Sequence, residues 1–172
     1  MASYSPDVLQ SVFVTGLKNV HGVEHQALSL IDRQLDHLEN YPEVADMLRR
    51  HRVETEQQIE RVDTILQGFG ETPSSLKDAV LSFTGNMAAL AHLPAPDEIL
   101  KNSFANQAFE NFEMAAYTSL IALAEAGFAN TVSALRQSLT EEQRTAQWFA
   151  DNIPNITLKY VSLRAEGETA SH

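Results

Sequence analysis

Apolar residues recur along this chain at spacings of three and four, the period of an amphipathic helix. The first run begins beside Ser5-Pro6 and carries Val8, Leu9, Val12, Phe13, Leu17, Val20, Leu28, Ile31, Leu35 and Leu38. Serine followed by proline at a first helical position is a start signal. Asn40-Tyr41-Pro42 interrupts the run, and Asn40 is a candidate cap for a second helix carrying Val44, Met47, Leu48, Ile59, Val62, Ile65 and Leu66. Gly68-Phe69-Gly70 ends that helix.

Residues 71–97 break the rhythm. Pro73 and Ser74-Ser75 open this stretch, Pro94 and Pro96 close it, and Leu76 to Leu90 is predicted as a short helix within a crossover. A third helix runs from about Pro96 to Ala126, where Gly127 stops it, and a fourth from about Asn130 to Ala150. Beyond Pro154, the residues Ile156, Leu158, Tyr160, Val161 and Leu163 read as a short docking helix, and Arg164 to His172 as a frayed polar tail. No segment alternates as a strand does. The fold class is therefore all-α: two antiparallel helical hairpins joined by a long crossover, the connectivity of a ferritin-like four-helix bundle. It forms a single domain over residues 1–172, with a core at about 5–150 and a C-terminal docking segment and tail over 151–172.

Composition narrows the function. The chain of 172 residues has no cysteine, which excludes disulfides, thiolate metal sites and thiol nucleophiles. Twelve Lys+Arg against 23 Asp+Glu gives a net charge of -11, a poor match for nucleic acid. Met1 to Asp7 has neither a basic region nor an apolar run. No stretch approaches the roughly 18 apolar residues of a membrane helix. A cytoplasmic protein with no membrane partner is the expectation.

Candidate chemistry lies on the apolar seams. The first helix reads Phe13, Leu17, Val20, Glu24, Leu28, Ile31, Leu35; the second reads Val44, Met47, His51, Glu54, Gln58, Val62, Ile65. The third reads Ser103, Asn106, Glu110, Glu113, Tyr117, Leu120, Ala124, and the fourth Val132, Leu135, Leu139, Glu142, Ala146, Phe149. Each helix thus places at least one glutamate on its inward face. Their heights also agree. Glu24 and Glu54 stand about 16 and about 13 residues from the first turn, and Glu113 and Glu142 about 15 and about 14 from the second, at about 1.5 Å per residue.

Five glutamates cannot share a core as bare anions, because each unpaired ion costs several kcal/mol and like charges add to that. Arg61 and Arg136 lie on the flanks of the seams, so the remaining compensations are protonation or a divalent metal. Inward carboxylates from all helices are how di-iron and di-manganese bundles hold their ions. The expected ligands are Glu24, Glu54, Glu113 and Glu142, with Glu110 as a fifth and His51 nearby. An oxygen-dominated set suits iron, manganese, magnesium or calcium, and ligand type alone does not choose among them; iron or manganese is the expected ion. His21 reads as an ordinary core or flank histidine, and Tyr117 as packing with a satisfied hydroxyl.

At these residues the chain resembles the YciE/YciF-type ferritin-like family. The matching segments are His51-Arg52-Val53-Glu54-Thr55 with Gln58 and Arg61, Glu110-Asn111-Phe112-Glu113 with Ala115 and Tyr117, and Leu139-Thr140-Glu141-Glu142, with Glu24 and Gln26 in the first helix. The resemblance implies a bundle, often a homodimer, tied to bacterial stress responses and able to hold a metal pair. Apolar crossover residues such as Leu81, Phe83 and Leu90 would form either a dimer contact or a cap on the bundle. The sequence departs from the wider di-iron pattern of two Glu-x-x-His motifs: Gln57 follows Glu54, and Thr145 follows Glu142, where histidines would stand. Two functions remain open. One is a metal centre with ferroxidase or peroxide-reducing activity, and the other a structural stress-response bundle whose site is vestigial.

Overall fold

The computed structural model describes residues 5–71 and 95–171. The predicted helix Leu76 to Leu90, and the dimer contact expected there, lie outside these residues. Four long helices make up the rest: α1 (Pro6–Leu35), α2 (Pro42–Gly68), α3 (Glu98–Gly127) and α4 (Val132–Glu166). Among the described residues there is no strand, and no helix is long and apolar enough to cross a membrane.

Local chemistry explains the boundaries. Pro6 and Pro42 each sit in a first helical turn, where a missing N–H costs nothing. Tyr41, not Asn40, is the residue preceding α2. The Asn40 amide instead donates to the Thr169 carbonyl at 2.8 Å. A short 3-10 turn, Ala129–Thr131, intervenes before α4, so the helix starts at Val132 and not at Asn130.

The helices pack as a square in which α1 adjoins α2 and α3, and α4 adjoins α2 and α3. Two apolar clusters fill its ends. At one end Phe13 stacks on Phe128 with centroids 4.6 Å apart and meets Phe69 edge-on at 5.7 Å. At the other, Ile31, Leu38, Tyr41, Leu48, Ile99 and Phe149 close the core. The C-terminal Phe69 of α2 and the N-terminal Ile99 of α3 thus occupy opposite ends, and α2 and α3 run parallel. Near the second end, Gln34 of α1 and Asn106 of α3 exchange two amide hydrogen bonds of 2.9 Å in the core. A reciprocal pair leaves no orphaned amide and fixes the register of the two helices.

The C-terminal region corrects the sequence expectation twice. α4 does not stop near Ala150 but continues through Pro154 to Glu166. Proline frees the carbonyl four residues back, which is Ala150, and both residues are exposed. The lost bond thus falls on the water side, where it costs least. The tail is not frayed either. Gly167 adopts φ 77, the left-handed conformation that ends helices, and Glu168 N–H donates back to the Leu163 carbonyl at 2.9 Å. The chain then turns under the α1–α2 connection. Ile99 N–H donates to the Ser171 carbonyl at 3.0 Å, and the fully buried Tyr41 hydroxyl donates to the Ala170 carbonyl at 2.8 Å.

That clasp has a measurable worth. Tyr41→Phe deletes one buried hydrogen bond and leaves the Ala170 carbonyl unmet, a loss of about 1 kcal/mol. Urea midpoints compare the two proteins, and an unchanged midpoint would show that the tail contributes nothing to the native state.

Candidate metal centre

Between the two apolar ends lies a polar layer in the middle of the bundle. α1 contributes Glu24, α2 His51 and Gln58, α3 Glu110 and Glu113, and α4 Glu142, and all six are buried. His51, Glu110, Glu113 and Glu142 each offer one donor atom, and the four atoms lie within 4.8 Å of one another. Glu24 faces the same layer, and its charge acts on Glu113. Its Oε1 accepts a short hydrogen bond from the Tyr117 hydroxyl. Tyr117 is therefore more than packing, because it orients a carboxylate.

Glu54 stands apart. The inward stripe of α2 passes through His51, Thr55, Gln58 and Val62, so Thr55 takes the place assigned to Glu54. Glu54 points to the rim with a side chain 26% exposed and pairs with Arg144 at 2.8 Å. Steps of three and four are both helical, and the choice between positions 54 and 55 rotates the side chain by about 100°. Glu54 nevertheless touches the site from outside, its Oε2 lying 3.9 Å from His51 Nδ1.

The two ring nitrogens of His51 have different surroundings. Nδ1 lies 3.2 Å from the Thr145 hydroxyl. Nε2 lies 3.3 Å from Glu110 Oε1 and 3.8 Å from Glu142 Oε2. Outer contacts of the Nδ1 kind fix the ring and leave Nε2 as the donor aimed inward.

On the α2–α4 side an arginine–carboxylate pair borders the layer. Arg61 donates to both oxygens of Glu141, at 3.1 and 2.5 Å, and Gln137 donates to Glu141 at 3.1 Å. The Gln58 amide donates to Glu141 at 3.1 Å and also, through a short bond, to Glu142 Oε1. Sequence reading missed Glu141 because it stands beside Glu142 and off the apolar seam. Its signal was Arg61, which α2 places at the same level.

Electrostatics follow from burial. Desolvation pushes the Glu24 carboxyl up to about 8, against the opposing effect of the Tyr117 hydrogen bond. Desolvation and then the neighbouring carboxylates raise Glu113 and Glu142 well above the ordinary range. Burial alone would depress His51, but the charges of Glu110, Glu54 and Glu142 outweigh it and hold the ring well above 6.5. Glu54 moves the other way, lowered by its His51 contact against the effect of partial burial, with Arg144 adding to the drop.

In the metal-free protein these shifts fix the sign of the pH dependence. An unfolded chain releases the Glu24 proton near 4.5, whereas the native state keeps it to about 8. The native state binds more protons in that window, so stability is full below the unfolded value and falls as pH rises to the folded one. Glu113, Glu142 and His51 carry the same sign, while the Glu54 contribution is lost only as pH falls below 4.5. Denaturant midpoints in chelator should therefore be lower at about pH 8 than at about pH 5.5. A rise across that interval would contradict the burial of protonated carboxyls.

The donor chemistry fits a divalent ion. Both oxygens of Glu113, Oε2 of Glu24, Glu110 and Glu142, and His51 Nε2 are buried without a hydrogen-bond partner among the described residues. Buried polar atoms are ordinarily paired, and this many inward-facing orphans in one layer is what a cation would satisfy. Four carboxylates and one imidazole make an oxygen-dominated donor set for a divalent cation.

Residues 8–162 match the family described as Domain of unknown function (DUF892). Among solved structures, a Xanthomonas campestris pv. campestris protein aligns with a TM-score of 0.76 at 20% identity, covering 91% of this chain and 99% of that one. The Escherichia coli stress protein YciF aligns with a TM-score of 0.67 at 22% identity, over 86% of this chain and 95% of its own. YcfI from Rhodopseudomonas palustris gives 0.64 at 23%, over 86% and 98%. At these identities the structural likeness establishes the shared fold. The fold shared with YciF agrees with the YciE/YciF-type resemblance of the sequence. The family match is what establishes kinship, since it reaches from α1 into the last turns of α4, and the chain accordingly belongs to the DUF892 family.

Proposed function

We propose that this is a stress-response ferritin-like protein whose buried layer binds one or two divalent ions, iron or manganese. Glu24, Glu110, Glu113 and Glu142 would hold the ions through oxygen, and His51 through Nε2. The observation that carries this reading is the group of unpartnered carboxylate oxygens facing one another at the centre of the bundle. A bound iron or manganese pair supplies redox chemistry toward dioxygen or peroxide, the basis for ferroxidase or peroxide-reducing activity. The residues around it do the rest. Tyr117 and Gln58 hold Glu24 and Glu142 in place, Thr145 and Glu54 orient His51, and the two apolar clusters close the bundle ends to water.

One observation favours a second reading, a structural bundle with a vestigial site. Glu24, Glu113 and Glu142 have raised proton affinities and can sit in the core as neutral acids, with Tyr117 and Gln58 meeting part of their hydrogen-bonding need. Metal analysis of protein purified without chelator separates the two. Stoichiometric iron or manganese, lost on Glu113→Gln, supports the centre. Protein free of metal, and unable to take up added Fe²⁺ or Mn²⁺, supports the structural bundle.

A further inference from the structure

Outside the buried layer, α1 and α2 bring a second set of ligating groups together. His21 and His25 lie one turn apart on α1, with ring centroids 4.5 Å apart and their Nε2 atoms 3.3 Å apart. Asp63 of α2 places Oδ1 3.1 Å from the same His21 Nε2. We propose that His21, His25 and Asp63 form a second, exchangeable site for a divalent transition metal such as Zn²⁺, separate from the buried centre.

Three points of chemistry support the assignment. Histidines at i and i+4 are a recurring helical way to present two imidazoles to one ion. Nitrogens bound at about 2.05 Å to a tetrahedral ion stand about 3.3 Å apart, which matches the His21–His25 separation.

The protons of this cluster also favour a cation. If His21 Nε2 carries one and donates it to Asp63, the lone pair of His25 has no donor of its own. If His25 donates to His21 instead, the His21 lone pair faces a carboxylate. Neither arrangement satisfies all three atoms from within this cluster, whereas a cation does.

The cluster is open to solvent. The Asp63 side chain is 37% exposed and His25 is half-buried, so an ion reaches the site from solvent, while His21, at 7%, forms its floor. Burial, then the neighbouring His25, depresses the proton affinity of His21 against the opposing effect of Asp63, which favours a ligand over a proton on the ring.

The same details make the site a loose one. Among the described residues, the buried layer is the set whose donors all lie within 4.8 Å of one another. His25 or Asp63 must therefore swing toward the other as the ion enters. Among the described residues His21 Nδ1 has no hydrogen-bond partner, so the outer bond that usually fixes a ligating imidazole is missing there. Both features favour exchange over permanent retention.

Binding here does not depend on the buried centre, and the experiment keeps them apart. Zn²⁺ is titrated into wild type, Glu113→Gln/Glu142→Gln, His25→Ala and Asp63→Asn, with imidazole ¹⁵N shifts assigned for His21, His25 and His51. The expected result is that Zn²⁺ shifts His21 and His25 in wild type and in the doubly substituted protein alike. In His25→Ala and Asp63→Asn, which change partly exposed side chains and keep the fold, the apparent affinity should fall by more than about tenfold. Zn²⁺ perturbing His51 alone overturns the proposal while leaving the buried centre standing. So does His25→Ala or Asp63→Asn protein that binds as wild type does, or His21 and His25 signals that do not move.

Discussion

Arg61→Leu is expected to cost about 3 kcal/mol, because it strands a buried carboxylate. In a domain of this length that corresponds to a fall of roughly 6–12 °C in Tm. The Arg61 and Glu141 side chains are only 15% and 7% exposed, and the guanidinium contacts both oxygens of its partner. Among the described residues, removing the cation leaves the Glu141 carboxylate with the amides of Gln58 and Gln137 alone. The double variant Arg61→Leu/Glu141→Leu should recover most of the loss, since replacing a whole buried pair with apolar groups is close to neutral. Because Gln58 bridges Glu141 and Glu142, the single variant should also loosen the buried layer. Thermal melts of the three proteins provide the test. A single variant as stable as wild type would mean that Glu141 is not held by Arg61.

The second large effect concerns Glu142→Gln, with opposite signs in the presence and absence of metal. Glu142 is fully buried and its acid form is favoured by desolvation, then by the nearby Glu110 charge. An amide of the same shape removes a buried ionisable group, so the chelated variant should melt higher than chelated wild type at neutral pH. Adding Mn²⁺ should reverse the order, because an amide is a far poorer ligand than a carboxylate and the variant gains little. Helical content by circular dichroism should stay unchanged. A variant that melts lower than wild type in chelator would show that the Glu142 charge is already compensated within the protein.

Much of this architecture was legible because the seams are periodic. On α3, all seven residues assigned inward from their spacing, Ser103 through Ala124, are buried. Glu24, Glu113 and Glu142 reach one layer for the same reason, since a rigid rise of about 1.5 Å per residue converts counting into distance; Glu54 stands at a matching height but on the rim. Failures came where two helical spacings compete or where a partner is distant in sequence. Glu54 and Thr55 both satisfy a seam step, and only the position of α4, with Arg144 at the rim, decides between them. The tail could not be read as ordered because its polar residues satisfy nothing locally. Its order comes from Tyr41 and Ile99, 129 and 72 positions away from the carbonyls that they bond. Pro154 looked like a stop because its position on the exposed side of a helix is invisible without the neighbouring packing. The His21–Asp63 contact likewise joins two helices, and neither histidine spacing nor composition points to the aspartate.

The buried metal centre is tested most directly by melting chelator-treated wild type with and without Mn²⁺ at pH about 7.5, where metal competes with the carboxyl protons at equilibrium. At a free ion concentration about 100 times the dissociation constant, binding to the native state alone adds about 2.7 kcal/mol. For a domain of this size that is a rise of roughly 5–11 °C in Tm, and the rise should vanish in Glu113→Gln/Glu142→Gln. A wild-type melting temperature that does not move with Mn²⁺, nor with Fe²⁺ under anaerobic conditions, would contradict a metal centre in this bundle.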